Sequence, residues 1–246
     1  MLQKKVLIIV PAYNEEDRIK KTVEEILSTG IAAKVLVIND GSRDDTAKKA
    51  KSSGAHVISL PFNTGIGGAV QTGFRYAFEN DFDIACQVDG DGQHDVSYIG
   101  ALIKPILENE SDMVIGSRFV PPFMGYQSSF VRKIGINFFS HLISFLCSVK
   151  ITDPTSGFRA YNKKMIHIFS QSYPADFPEP EAIMIARLYG ARVKEIPVEM
   201  RKRQTGHSSI RYLATLYYMI KVTFAILLNL LKGKKSNAAT TYVRST

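Results

Sequence analysis

Apolar residues in the first half of the chain come in short runs, and amphipathic or polar stretches separate them. Residues 6–10, 35–38, 57–60 and 84–88 are compact runs dominated by aliphatic residues, and each reads as a strand. Between them, 16–28 has apolar residues near helical spacing, 44–51 reads as a short polar helix, and 65–78 as a helix opened by glycines. Further on, 96–107 predicts a helix, 113–115 a fifth strand, 130–149 an apolar helix and 196–200 a late strand. Residues 119–129, rich in Pro, Gly, Ser and aromatics, read as a mobile loop. Strands that alternate with helices indicate an α/β fold with a mostly parallel sheet and crossover helices. Ligands of such sheets bind beyond the carboxyl ends of the strands, so the chemistry is expected in loops 11–15, 39–46 and 89–95.

The stretch 212–231 has twenty residues and one charge, Lys221, a length sufficient to span a bilayer. Its pattern points elsewhere. Arg211, Ala214, Tyr218, Lys221, Ala225, Asn229 and Lys232 recur at steps of three and four and draw one narrow polar or small stripe on an apolar helix. Such a helix suits a membrane interface or a partner such as a small membrane protein; a buried helix of the fold and a true span are the alternatives. The domain reading is a catalytic unit over 1–208, divided near 118 into a donor half and an acceptor half. An amphipathic docking helix over 209–235 and a polar tail over 236–246 follow it.

Composition sharpens this picture in two places. The chain of 246 residues is 45% hydrophobic and 22% charged, as expected of a globular domain with a real core. Ten basic residues and two acids lie between Arg192 and Lys235, so this stretch carries the whole formal net charge of +8. A basic field of that kind favours an anionic partner: a phosphate substrate, anionic lipid or nucleic acid. No nucleic-acid recognition motif accompanies it, and it borders an apolar helix, so nucleic acid is not the expected partner. Cys86 and Cys147 sit in apolar contexts without a CxxC spacing and read as packed, reduced thiols. The apolar run at the N-terminus is too short for a secretion signal, so a cytoplasmic location is expected.

Three sequence clusters carry candidate chemistry. Asp89-Gly90-Asp91-Gly92-Gln93-His94 follows a buried strand. Two carboxylates two residues apart in a glycine turn can face one hard divalent cation, Mg²⁺ or Mn²⁺; the Gln93 amide oxygen can join them, and His94 suits Mn²⁺. Asn39-Asp40-Gly41-Ser42-Arg43-Asp44-Asp45-Thr46 follows the second strand and offers an acid to a nucleobase, while Ser42 or Asp44 could equally cap the next helix. Asn63-Thr64-Gly65-Ile66-Gly67-Gly68 lacks the Lys and Ser/Thr of a P-loop and reads as close backbone packing at a helix start.

Together with Pro11-Ala12-Tyr13-Asn14-Glu15 and Gly116-Ser117-Arg118, these motifs resemble, in order, the family 2 inverting glycosyltransferases of GT-A fold. Asp153-Pro154-Thr155-Ser156-Gly157-Phe158-Arg159 and Arg203-Gln204-Thr205-Gly206-His207-Ser208 resemble the dolichol-phosphate sugar transferase branch. The resemblance implies a Rossmann-like, mostly parallel sheet flanked by helices. It implies that Pro11, Ala12, Tyr13, Glu15, Asp40, Asp89 and Gly90 line the nucleotide site. It also implies that Asp89, Asp91 and Gln93 hold Mg²⁺ or Mn²⁺ with the diphosphate, and that Arg118, Arg132 and Arg203 hold donor or acceptor phosphates. The family often has Asp where this chain has Asn39, and Phe177-Pro178-Glu179-Pro180-Glu181 departs from the usual pattern near the acceptor.

The activity so implied is inverting transfer of a hexose or N-acetylhexosamine from a nucleotide-sugar, with UDP expected, to polyprenyl phosphate. In bacteria that acceptor is undecaprenyl phosphate, met at the inner face of the cell membrane, and the product serves cell-wall or surface-polysaccharide modification. The alternatives are direct transfer to a glycan hydroxyl, with Glu181 or Asp176 as base, and a silent nucleotide-sugar scaffold, against which the intact acid pair argues.

Overall fold

The computed structural model describes residues 4–121, 130–176, 178–201 and 223–224 and, for 130–134, the backbone alone. One seven-stranded sheet organises them. Its strands are β1 (Val6–Ala12), β2 (Ala33–Asn39), β3 (His56–Ser59), β4 (Ile84–Gln87), β5 (Met113–Ser117), β6 (Arg159–Asn162) and β7 (Val193–Pro197). They lie in the order β3-β2-β1-β4-β6-β5-β7. The pairs β1–β2, β1–β4, β2–β3 and β5–β7 are parallel; β6 runs antiparallel to both β4 and β5.

The helices α1 (Ile19–Ser28), α2 (Thr46–Ser52), α3 (Gly65–Glu79), α4 (Ile99–Leu107), α5 (Phe130–Cys147), α6 (Lys163–Gln171) and α7 (Pro178–Leu188) cover both faces. Strand β1 shows why its sequence is apolar throughout. Leu7 and Ile9 enter one core with Phe74 of α3, Phe139 of α5, Phe169 of α6 and Ile183 of α7. Val6, Ile8 and Val10 enter the other with Val23 of α1, Ala50 of α2 and Leu102 of α4. Successive side chains of a strand point to opposite faces, and both faces here are covered, so no polar alternation survives.

Strand β1 is followed in the sheet by β2 on one side and β4 on the other. That reversal of order opens a crevice at the carboxyl ends of β1 and β4, where α/β sheets take their ligands. The loops after β1, β2 and β4 meet there.

Three elements have no counterpart in the sequence reading: β6, α6 and α7. Strand β6 is four residues bounded by Arg159 and Asn162, without an apolar run of its own, and it exists by pairing on both sides. The late strand sits three residues earlier than the alternation of Ile196, Val198 and Met200 indicates. Its pairing with β5 ends at Pro197, after which the Val198 N–H still donates to the Ser117 carbonyl at 3.0 Å. Both cysteines are buried and unpaired. Among the described residues no helix is long and apolar enough to cross a membrane. The expected docking helix over 209–235 lies outside them, except for Thr223 and Phe224, which are helical. Residues 122–129 of the expected loop lie outside them too.

Candidate active site

The loops after β1 and β2 are stitched into one rim. The Asn14 N–H donates to Ser42 Oγ at 3.0 Å, and the Arg43 N–H donates back to Asn14 Oδ1 at 3.0 Å. The Glu15 N–H donates to Thr46 Oγ1 at 2.8 Å, and the Glu16 N–H to Asp44 Oδ2 at 3.2 Å. Asp44 also accepts from the Thr46 N–H at 3.0 Å, so it serves the start of α2 as well as the rim. Burial acts to raise the Asp44 pKa, but the hydrogen bonds from Thr46 and Glu16 outweigh it and leave the carboxyl below its ordinary value. Pro11 and Ala12 are buried at the end of β1, and Tyr13 stands exposed on the rim. The Glu15 carboxylate pairs with Arg18 at 2.6 Å.

Asp40 is deeper, 3% exposed. Its Oδ1 accepts from the Thr64 N–H at 2.7 Å and the Thr64 hydroxyl at 2.8 Å; its Oδ2 accepts from the Gly65 N–H at 2.9 Å. The acid expected to face the base thus caps the N-terminus of α3, where unpaired N–H groups and the helix dipole favour an anion. Asn39 links Ser59 to the Ser42 N–H beside it. The glycine run opening α3 is a packing device, as its sequence indicates: a Cβ on Gly67 would lie 2.1 Å from the Pro174 carbonyl oxygen.

The acidic turn projects from β4 into the crevice. The Gly90 N–H donates to the Pro11 carbonyl at 3.2 Å and ties the turn to the rim. Asp91 accepts from the Gln93 N–H at 3.0 Å, and the Gln93 side-chain amide also bonds the Asp91 carboxylate. Gln93 therefore orients Asp91 here. His94 is buried rather than presented to the crevice: its Nδ1 accepts from the Asp89 N–H at 3.0 Å and its ring stacks on Phe158. A place as a Mn²⁺ ligand does not go with that position. No cluster of three His, Cys, Asp or Glu side chains suited to a metal occurs among the described residues. Asp89 and Asp91 would suit a hard cation whose remaining ligands come from a diphosphate, the usual manner of Mg²⁺ in phosphate chemistry.

Across the crevice, β6, β7 and the Asp153–Arg159 loop form a wall of buried charges. Arg118 forks onto Asp153, Nε to Oδ2 and Nη2 to Oδ1 at 2.6 Å each, and Nη2 also donates to Thr155 Oγ1 at 2.9 Å. A phosphate at Arg118 would share it with Asp153. Glu195 accepts from the Thr152 N–H and hydroxyl and from the Asp153 N–H, all at 2.8 Å. Burial outweighs those bonds and pushes the Glu195 pKa up. Arg159 is fully buried and donates to three carbonyls, those of Ser156, Pro154 and Glu179, at 2.6, 3.0 and 2.7 Å.

Glu179, in the first turn of α7, senses this wall directly. Burial raises its pKa, Arg159 lowers it, Asp89 raises it further and Arg118 lowers it. Glu179 and Glu181 both lie in the first turn of α7. Asp176 is exposed before α7. Sequence reasoning did not foresee the helix that carries Glu179 and Glu181. Arg132 lies in α5 with its side chain outside the described residues, and Arg203 lies outside them altogether.

Comparison with known proteins covers the same ground. Residues 7–169 match the family described as Glycosyl transferase family 2. The UDP-N-acetylglucosamine–dolichyl-phosphate N-acetylglucosaminyltransferase of Methanococcus voltae is 31% identical, over 81% of this chain and 86% of that one. An undecaprenyl-phosphate mannosyltransferase of Micrococcus luteus is 29% identical, over 84% and 87%. A crystal structure of glucosyl-3-phosphoglycerate synthase from Mycobacterium tuberculosis, with Mn²⁺, UDP and glucosyl-3-phosphoglycerate, superposes with a TM-score of 0.69. It covers 92% of this chain and 79% of that one at 20% identity, a likeness of fold.

Proposed function

The chain belongs to glycosyl transferase family 2, and within that family we propose that it moves a sugar from UDP to polyprenyl phosphate at the inner face of the cell membrane. The observation that carries the reading is the Asp89–Asp91 turn, held against the Pro11–Glu15 rim beyond the carboxyl ends of β1 and β4. The relatives named for dolichyl- and undecaprenyl-phosphate transfer support the acceptor.

A divalent cation bound there would supply charge neutralisation to the departing diphosphate. The chain's own residues do the rest. Pro11, Ala12, Tyr13 and Glu15 line the nucleotide side, with Asp40 behind them, while Asp89, Asp91 and Gln93 would hold the cation. Arg118, buried and paired with Asp153, would share its guanidinium with a phosphate across the crevice; Arg132 and Arg203 would meet the acceptor phosphate. That phosphate is already anionic near neutral pH, with a second pKa of about 6, so it needs no base to attack. The basic stretch between Arg192 and Lys235 supports an anionic, lipid-borne acceptor. So does α5, which exposes Phe138 and Phe145.

A hydroxyl acceptor is the second reading; it needs a general base, and burial raises the pKa of Glu179 in the first turn of α7, as suits one. One experiment separates the two. Wild type, Asp91→Ala and Glu179→Gln are given labelled UDP- and GDP-sugars with Mn²⁺ or Mg²⁺, with and without undecaprenyl phosphate. A metal-dependent, organic-extractable product, lost in Asp91→Ala and retained in Glu179→Gln, supports lipid transfer. Donor binding without any lipid product removes that acceptor.

A further inference from the structure

We infer that Arg201 is a positioning residue that clamps the exit of the acidic turn to α1 and so holds Gln93 and Asp91 in place for a divalent cation. This rests on the metal-site reading above and adds to it a residue from outside the motif. The turn has two halves with separate moorings. Its entry is tied to β1 and α1: the Gly90 N–H donates to the Pro11 carbonyl at 3.2 Å, and the Gly90 carbonyl accepts from the Thr22 hydroxyl at 3.4 Å. Its exit is paired with the chain that follows β7. Met200 bridges His94 in antiparallel fashion, and the Arg201 N–H donates to the Gln93 carbonyl at 2.8 Å. Gln93 in turn gives the Asp91 carboxylate two donors, its N–H and its side-chain amide. Arg201 is thus one link away from the residue that orients Asp91.

The Arg201 side chain fixes where that pairing lies. Its Nη1 donates to Glu25 Oε2 in the last turn of α1, and its Nη2 lies 3.5 Å from Asp95 Oδ1. Asp95 is held in its own right, because the same oxygen accepts from the Ser97 N–H at 3.1 Å where the helical turn Val96–Tyr98 begins. One guanidinium therefore joins α1, the end of the acidic turn and the segment after β7, three stretches remote in sequence. Its planar fork suits two carboxylates at once, whereas an ammonium is a single point charge. Packing does not do this work. An open cleft of about 100 Å³ is lined by Thr22 and Glu25 of α1, by Asp91 and Gly92 of the turn and by Arg201, so the turn is not packed flush against α1 there. The ion pairs are partly exposed, and pairs of that kind add little to stability, so the contribution of Arg201 is placement rather than cohesion.

The test uses the full chain with Mn²⁺ and UDP as probes. Arg201→Met keeps the main-chain bond to Gln93 and removes the guanidinium. Arg201→Lys keeps one charge, and Glu25→Gln removes the charge at the α1 end. Calorimetric titration is expected to show Mn²⁺-dependent UDP binding weakened about tenfold in Arg201→Met and by less in Arg201→Lys and Glu25→Gln. UDP binding without metal and the apo Tm should stay near wild type. Arg201→Met combined with Glu25→Gln should bind no more weakly than Arg201→Met alone, because both changes remove the same contact. Hydrogen exchange of the metal-free Arg201→Met protein should be faster over residues 90–95 and unchanged in β1 and β2. If Arg201→Met does not fold, Arg201→Lys and Glu25→Gln carry the same comparison. Wild-type Mn²⁺-dependent binding in the variants, or losses that multiply in the double variant, overturn the inference and leave the metal site standing. An equal loss of UDP binding with and without metal marks a merely structural role and overturns it too. Wild type that shows no Mn²⁺-dependent UDP binding overturns the metal-site reading and this inference with it.

Discussion

The two sides of the crevice are built on different principles. The donor side, β1 to β4 with α1 to α3, stands on β1, β2 and β4, whose apolar residues are buried on both faces, and its candidate site residues lie in the loops after them, where they bond to neighbouring loops. The acceptor side, β5 to β7 with the Asp153–Arg159 loop and α7, places ionised groups inside the protein: Arg118 with Asp153, Arg159 among three carbonyls, and Glu195 under Thr152 and Asp153. Apolar burial is non-directional and tolerates small shifts. A buried charge does not, because its desolvation is offset only while every partner stays in place. The comparison teaches that one side is held by area and the other by geometry.

The largest effect should come from splitting the Arg118–Asp153 fork. Asp153→Ala takes the carboxylate from a buried guanidinium, and urea denaturation is expected to show a loss of about 3–5 kcal/mol. Adding Arg118→Met should recover part of that loss; a double variant as unstable as the sum of the singles would break the comparison. Next, Arg159→Met orphans three carbonyls together and should cost about 2–4 kcal/mol by the same measurement.

Asp40→Ala sharpens the contrast from the donor side. Loss of the α3 cap should cost about 1–2 kcal/mol in the absence of nucleotide. UDP affinity, read by calorimetry at a temperature where the variant is folded, then reports any separate contact to the base.

The smallest effect is in pH. The Asp112 carboxyl is buried, which alone would raise its pKa, but bonds from Arg192 outweigh this and lower it. Its stabilising contribution is complete above the ordinary carboxylate pKa and is lost as pH falls through the lowered value. Glu195 has the opposite sign: burial raises its pKa, so its contribution is complete below the ordinary value and declines as pH rises through the raised one. Glu195→Gln should flatten the stability profile just above pH 4.5, the ordinary Glu value. The change in slope should stay below about 1.4 kcal/mol per pH unit, the limit for one group.

The same contrast explains what could be read early. Each donor-side strand is its own apolar run, and each motif sits at the end of one, so elements and candidate site were legible together. Strand β6 is not: its four residues include Arg159 and Asn162, and the register Gln87↔Arg159 and Ile115↔Arg159 holds them from both sides. Helix α7 opens on Pro178-Glu179-Pro180, a stretch with two prolines that reads as irregular until its packing against α5 is seen.

By itself, the sequence determined the fold class, the family motifs and their order along the chain. These are properties of short segments: hydrophobic period, turn residues, and carboxylates two positions apart. Only the tertiary structure decided which polar groups are partners. Asp40 finds Thr64 and Gly65, Arg118 finds Asp153, and His94 accepts the Asp89 N–H. The physical reason is distance. A side chain's partner is chosen by whichever group the folded chain brings within about 3 Å, and segments remote in sequence carry no local sign of that meeting.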